Sequence, residues 1–346
     1  MSDASTPPVL APWLERQLAR LVEHSGHALL LQGPSGLGQY PLALALAQAW
    51  LCHQPVTTGA GQRGCGMCSS CHGIAVRTHP DLRVLMPETV MLALDWPLDE
   101  SAHKEIDDKK RKPSREIRVD AARDLITFTQ RTASGDRGKV VLIYPAERMN
   151  GVTANTLLKT LEEPSGDTRF ILATEAQHQL LPTVRSRCVS HAMVGPSQAE
   201  GVSWLTAQGL PEALASVLLK AAGGRPDDAR SMAERGWTDA RWAAIPKALR
   251  AGQLEPLQDL GGAELIDVLQ KVCHDQLAAQ VGGAPRFFAP GPGIRHVFAV
   301  PVPLGPSLAA KRSHGRSPLP GGTDAGGLGQ SGTTGALQPC SVSVRT

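Results

Sequence analysis

Gly33-Pro-Ser-Gly-Leu-Gly-Gln-Tyr40 follows the apolar run Ala28-Leu-Leu-Leu31 and leads into a helix-like apolar segment from Leu42 to Leu51. Strand, glycine loop and helix in that order form the frame of a P-loop, G-x-x-x-x-G-K-[ST]. In that motif backbone N–H groups cradle phosphates, the lysine reaches the β- and γ-phosphates, and the hydroxyl holds Mg²⁺. Here Gly33, Gly36 and Gly38 keep the glycine frame, while Gln39 stands at the lysine position and Tyr40 at the hydroxyl position. The shape of a nucleotide site is retained without its charge or its metal ligand.

Outward from the loop, apolar spacing predicts a helix over Trp13 to His24, and Pro41 falls in the first turn of the helix after the loop, where proline is tolerated. Further strands are predicted at Asp81 to Leu85, Lys139 to Tyr144, Phe170 to Thr174 and Cys188 to Ala192. Helices are predicted at Val119 to Thr129 and Ala154 to Pro164, with a short helical turn at Leu180 to Val184. Strands alternating with helices behind a glycine loop imply a parallel α/β sheet covered on both faces. Ligands in such sheets lie beyond the carboxyl ends of the strands. A P-loop ATPase needs an acidic magnesium ligand at the end of the strand that here finishes in Tyr144 and Pro145. Glu147, two residues on, reads most simply as a surface residue. Gln54 to Gly64 reads as a Pro/Gly/Thr loop, and Asp99 to Arg118, which mixes acids and bases without apolar period, as a solvated loop.

Four of the seven cysteines, Cys52, Cys65, Cys68 and Cys71, fall within twenty residues. C-x-x-C spacing lets a tight turn present two thiolates to one Zn²⁺, and a closed four-sulfur site is structural because no position is left for substrate. Free thiols or a disulfide with spare cysteines are the plainer alternative. His72 or His79 could replace Cys52 as the fourth ligand.

At 346 residues and 42% hydrophobic content the chain is expected to form two or three domains. The net charge of +3 permits nucleic-acid contact without arguing for it. The amino terminus has no basic segment followed by an apolar core, and no apolar run reaches membrane-spanning length, so the expected location is the cytoplasm, with no membrane partner. From Pro196 to about Gly252, and again from Ala263 to Gln280, the pattern is helical. From Ala289 the last 58 residues hold 11 Gly and 8 Pro, one acid and one aromatic, a coil composition without a core.

Taken together, these residues resemble the delta-prime family of bacterial DNA polymerase III clamp-loader subunits, within the AAA+ proteins. The resemblance rests on the degenerate loop Gly33 to Tyr40, the cysteine cluster followed by Thr78-His-Pro-Asp81, and the string Ala154-Asn-Thr-Leu-Leu-Lys-Thr-Leu-Glu-Glu-Pro164. Phe170-Ile-Leu-Ala-Thr174 and Arg185-Ser-Arg-Cys188 complete it, and together these features span residues 10 to 280. It implies an AAA+ P-loop domain over 1–195 with a zinc module at 52–71, a helical lid over 196–252 and the start of a helical collar over 253–288. The tail, 289–346, lies outside it and is expected to be disordered or frameshifted.

In function it implies a scaffold subunit that does not hydrolyse ATP, an accessory of the polymerase holoenzyme. Arg187 would be a trans arginine for a neighbouring ATPase subunit, its plain alternative being a surface arginine paired with a local carboxylate. Asp227 falls where active members carry a nucleotide-sensing arginine. Implied partners are the gamma/tau ATPase subunits and the delta subunit, with the sliding clamp and primer-template DNA reached through the complex; the implied cofactor is structural Zn²⁺. Two other readings are a divergent ATPase using Glu147 or Glu162, and a zinc-ribbon DNA-binding module.

Overall fold

The computed structural model describes residues 10–59 and 61–290. All described residues belong to one compact unit. The expectation for the tail falls almost wholly outside the described residues.

In chain order the first elements are α1 (Pro12–Val22), β1 (Ala28–Gln32), α2 (Gln39–Leu51), β2 (Val56–Thr58), β3 (Gly61–Arg63), α3 (Ser69–Ala75) and β4 (Leu82–Leu85). Next come α4 (Glu88–Ala93), α5 (Glu100–Asp107), α6 (Val119–Gln130), β5 (Lys139–Ile143), α7 (Gly151–Glu162), β6 (Thr168–Thr174), α8 (Pro182–Arg185) and β7 (Val189–Ala192). A helical series closes the described chain: α9 (Gln198–Ala207), α10 (Glu212–Ala221), α11 (Pro226–Glu234), α12 (Asp239–Arg250) and α13 (Gly262–Gln280).

Five strands pair in the order β4-β5-β6-β1-β7, every pairing parallel. Strands buried on both faces carry unbroken apolar runs, as Leu29-Leu-Leu31 and Val140-Val-Leu-Ile143 do. The two-residue period of each strand divides these runs between two cores. Leu29, Leu31, Val140, Leu142, Ile171 and Ala173 pack with α1 and α2. Leu30, Val141, Ile143, Phe170 and Leu172 pack with α6 and α7. Lys139, buried at the start of β5, donates Nζ to the carbonyls of Phe128, Thr129 and Arg131, closing the carboxyl end of α6 with a charged donor.

Two segments read as loops are ordered. Residues 54–64 contain the antiparallel β2–β3 hairpin, and Gly61 approaches so close to α1 that an added Cβ would lie 2.5 Å from that of Ala19. The charged stretch 99–118 contains α5, fastened by Arg111, whose two terminal nitrogens bond Glu88 at 2.5 and 2.7 Å. Glu88 is nearly buried and also accepts the Ser114 N–H, so an ion pair holds what no apolar pattern announces.

The helices from α9 onward build a third core on Leu218, Trp237, Trp242 and Ile245. Val268 and Val272 of α13 and Phe288 beyond it enter the same core, so the packing has no gap at residue 252. Phe288 stacks on Trp242 at 4.7 Å. The buried Asp275 carboxylate holds that turn by accepting the N–H groups of Arg286, Phe287 and Phe288. No helix among the described residues is long and apolar enough to cross a membrane.

Candidate functional site

β1 delivers the chain into the Gly33–Tyr40 loop at the carboxyl edge of the sheet. Gly36 and Gly38 take positive φ, 74° and 91°, a backbone region that costs other residues dearly. The concavity is occupied by the chain's own side chains. Gln39, almost fully buried, turns back and donates Nε2 to the carbonyls of Gly33 (3.1 Å) and Pro34 (2.6 Å), whereas a lysine would extend toward phosphate. The Tyr40 hydroxyl accepts the Trp96 indole N–H at 2.7 Å, and the Tyr40 ring lies 5.5 Å from that of Tyr144. Tyr144, at the end of β5 where a magnesium carboxylate would stand, donates its hydroxyl to Glu175 at 2.8 Å.

The helical part closes the same loop from the other side. The Asp227 N–H donates to the Gly36 carbonyl (3.2 Å), Ser35 donates to Asp228 Oδ2 (3.2 Å), and Arg225 Nε donates to that oxygen at 2.6 Å. A Cβ on Gly36 would lie 2.5 Å from Asp228 Oδ1. What remains is a cavity of about 250 Å³ lined in part by Glu175, Asp227 and Asp228, below the usual size of a ligand pocket. Burial pushes the Glu175 carboxyl up, against the Tyr144 hydrogen bond that lowers it and with Glu147 and Asp228 adding to the rise. Burial likewise raises Asp227. Three carboxyl groups thus face the space a triphosphate would need, and no lysine lines it.

Glu147 is not a surface residue of the next turn. Its carboxylate accepts the Thr174 hydroxyl at 2.7 Å and the Glu175 N–H at 3.2 Å, and so is spent on holding the end of β6.

The sulfurs of Cys52, Cys65, Cys68 and Cys71 all lie within 4.8 Å of one another. Cys52 and Cys68 approach to 3.8 Å, and Cys65 and Cys71 to 3.9 Å. Four thiolates at tetrahedral Zn–S distances stand about 3.8 Å apart, so the donor set fits zinc. Burial raises the Cys52 and Cys71 thiols. The Met67 and Cys68 N–H groups lower Cys65. Cys68, against the burial that opposes it, is lowered to about 6 by the N–H groups of Cys71 and His53 and by the Cys65 side chain. A bound zinc would tie α3, the hairpin and the end of α2 together.

His79 is engaged elsewhere and does not replace Cys52. Its Nδ1 accepts the Asp81 N–H (3.1 Å), which puts the ring proton on Nε2, where it meets Ser70 Oγ (2.9 Å). Ser70 in turn donates to the Leu51 carbonyl at 2.7 Å, so this relay fastens the cysteine module to the sheet.

Arg187 lies at the opposite edge of the sheet from the glycine loop. It precedes Val189, which pairs with Leu29 near the amino end of β1, whereas Gly33 follows the carboxyl end. Five strand residues span roughly 16 Å. Arg187 Nε donates to Glu162 Oε2 at 3.0 Å, Nη2 lies 3.0 Å from the same oxygen, and Nη1 donates to the Thr183 carbonyl at 3.0 Å. Neither Arg187 nor Glu162 can therefore serve the glycine loop of its own chain.

Gln39, Tyr40, Tyr144 and Asp227, each singled out in the sequence, line one cavity at the loop. The sequence reading missed Trp96, Glu175 and Asp228, which carry no local motif, although Asp228 stands beside a residue that was singled out.

A parallel sheet with a glycine loop feeding a helix at its carboxyl edge defines an α/β protein of P-loop architecture. The chain belongs to the family described as "DNA polymerase III, delta subunit", which matches residues 12–194. It is 40% identical over 236 residues to DNA polymerase III subunit delta' of Pseudomonas aeruginosa, covering 66% of this chain and 63% of that protein. The Escherichia coli K12 subunit delta' is 34% identical over 200 residues, 56% of this chain and 52% of that one. The subunit delta' of Yersinia pestis is 32% identical over 277 residues, 78% of this chain and 72% of that one. The chain thus spans less than two thirds of the first two relatives and somewhat more of the third.

Proposed function

We propose that the chain is a non-hydrolysing scaffold subunit of the DNA polymerase III clamp loader, helping to place the sliding clamp on primed DNA during replication. In this reading it is an accessory of the polymerase, located in the cytoplasm, and its neighbours are the gamma/tau ATPase subunits and the delta subunit. It reaches clamp and primer-template DNA through them. Residues 1–195 are the AAA+-like domain, 196–252 the lid and 253–288 the start of a collar. Cys52, Cys65, Cys68 and Cys71 hold a structural zinc.

The observation that carries the reading is the contrast between the edges of β1. At one edge the loop has lost its lysine and is filled by Gln39, Tyr40 and Tyr144 under three carboxyl groups. At the other, Arg187 is half-exposed with two of its five N–H donors engaged and Nη2 beside the same Glu162 oxygen. Phosphoryl transfer depends on electrostatic stabilisation that this loop lacks, and an arginine from a neighbour is one means of supplying it in trans.

The test is a loader reconstituted from its ATPase subunits with this chain, assayed with clamp and primed DNA. The chain alone turns over no ATP. Arg187→Ala leaves assembly intact by gel filtration and lowers the reconstituted rate by about tenfold or more. An unchanged rate in the assembled complex removes Arg187 from the mechanism; magnesium-dependent turnover by the purified chain ends the scaffold reading.

A further inference from the structure

The donors of Arg187 are allocated in a way that bears on its use. A guanidinium has five N–H groups. Nε gives its one to Glu162 Oε2, with Nη2 3.0 Å from the same oxygen, and Nη1 gives one to the Thr183 carbonyl. At least one N–H therefore remains on each terminal nitrogen, enough for a two-point contact with a phosphate. Glu162 itself stands on a fixed support. The preceding carbonyl, that of Leu161, lies 2.9 Å from His27 Nε2, and a carbonyl can only accept, so His27 donates. His27 immediately precedes β1, and its own carbonyl accepts the Phe170 N–H of β6 at 2.7 Å. The amino end of α7 is capped by Asn150, which accepts the Thr153 N–H at 3.0 Å. The carboxylate that holds the arginine is thereby referenced to the sheet rather than to a loose surface loop.

We infer that Glu162 is the positioning residue of Arg187: with the Thr183 carbonyl it fixes the guanidinium so that the free N–H groups of its terminal nitrogens face a phosphate presented by a neighbouring subunit. The inference rests on the trans role proposed for Arg187. An arginine stem loses much rotamer freedom when ordered, and ordering it before the neighbour arrives removes that cost from the transition state. Glu162 is more than half exposed, so its attraction for the guanidinium is screened by water and does not cancel the field the phosphate meets.

The experiment compares Glu162→Ala, Glu162→Gln, Arg187→Ala and the double Glu162→Ala/Arg187→Ala variant in the reconstituted loader, with kcat and KM for ATP measured separately. Glu162→Ala lowers kcat about five- to tenfold with KM unchanged, because orientation is lost while ground-state binding is not. Glu162→Gln, which keeps an oxygen acceptor for Nε and Nη2, stays within about twofold of wild type. The double variant equals Arg187→Ala alone, since Glu162 acts only through the arginine. In the free chain the Arg187 Nε–H, followed by ¹⁵N NMR, is protected from exchange in wild type and in Glu162→Gln and exposed in Glu162→Ala.

If Arg187→Ala lowers the rate and Glu162→Ala does not, the positioning role is wrong and the trans arginine stands. If the losses from Glu162→Ala and Arg187→Ala multiply in the double variant, Glu162 acts elsewhere and the inference fails. If Arg187→Ala has no effect in the assembled loader, both the trans role and the inference fall.

Discussion

In the Gly33–Tyr40 loop the groups lining the concavity have found partners within the chain: Gln39 the loop carbonyls, Tyr40 the Trp96 indole, Tyr144 the Glu175 carboxylate. In the cysteine cluster the four sulfurs converge on one another and draw N–H donors from the surrounding turn. The first geometry is complete as it stands. The second leaves four sulfur donors facing one another, a set that one divalent cation would complete. A binding geometry persists as a binding site only while its donors lack a better partner in the chain itself.

The cluster gives the largest test of that contrast. The purified chain carries one zinc, and Cys71→Ser or removal of the metal by a strong chelator unfolds residues 52–75 at a cost above about 4 kcal/mol, read by metal analysis and hydrogen exchange. A metal-free chain with an equally protected module breaks the comparison.

On the loop side, Gln39→Lys loses both carbonyl bonds and lowers stability by about 1–3 kcal/mol without bringing measurable ATP affinity, because the carboxyl groups remain. Micromolar ATP binding in a fluorescence titration of that single variant would refute the account of the filled loop. Tyr144→Phe removes the hydroxyl donor of Glu175 and costs about 1–2 kcal/mol in denaturant unfolding.

The smallest effect is in pH. Glu175 and Asp227 have raised folded-state values, so just above the ordinary carboxyl range the native state binds more protons than the unfolded one. Their contribution to stability is therefore larger in mild acid and is lost as pH rises through the folded values. Acid also weakens metal binding, so the informative quantity is the difference from Glu175→Gln. That variant melts higher than wild type at pH 7, and the gap narrows toward pH 5.

The apolar strands and the glycine frame were legible because each is written in contiguous residues. The partners that fill the loop were not: Trp96 stands 56 residues from Tyr40, and Asp228 stands 193 from Ser35. Their meeting depends on sheet order and on α11 folding back over the loop. α5 escaped for a different reason, since none of its residues is buried and no apolar period could mark it. The β2–β3 hairpin is short and largely exposed, so its residues read as a Gly/Thr loop. Glu147 was misread because the hydroxyl and N–H that donate to it stand at the end of β6, which the sequence could not bring near.

The filled loop also works as a ratchet. Gln39, Tyr40, Tyr144 and Asp228 each hold, or are held by, a group that a nucleotide would have to displace. Restoring any one of them alone leaves its partner without that bond, most costly for the buried Trp96 indole N–H, before any phosphate can compensate. The way back to a working nucleotide site runs uphill through several substitutions at once. On the non-hydrolysing reading proposed above, loss of the site is thus self-sealing, because ordinary packing holds the loop closed.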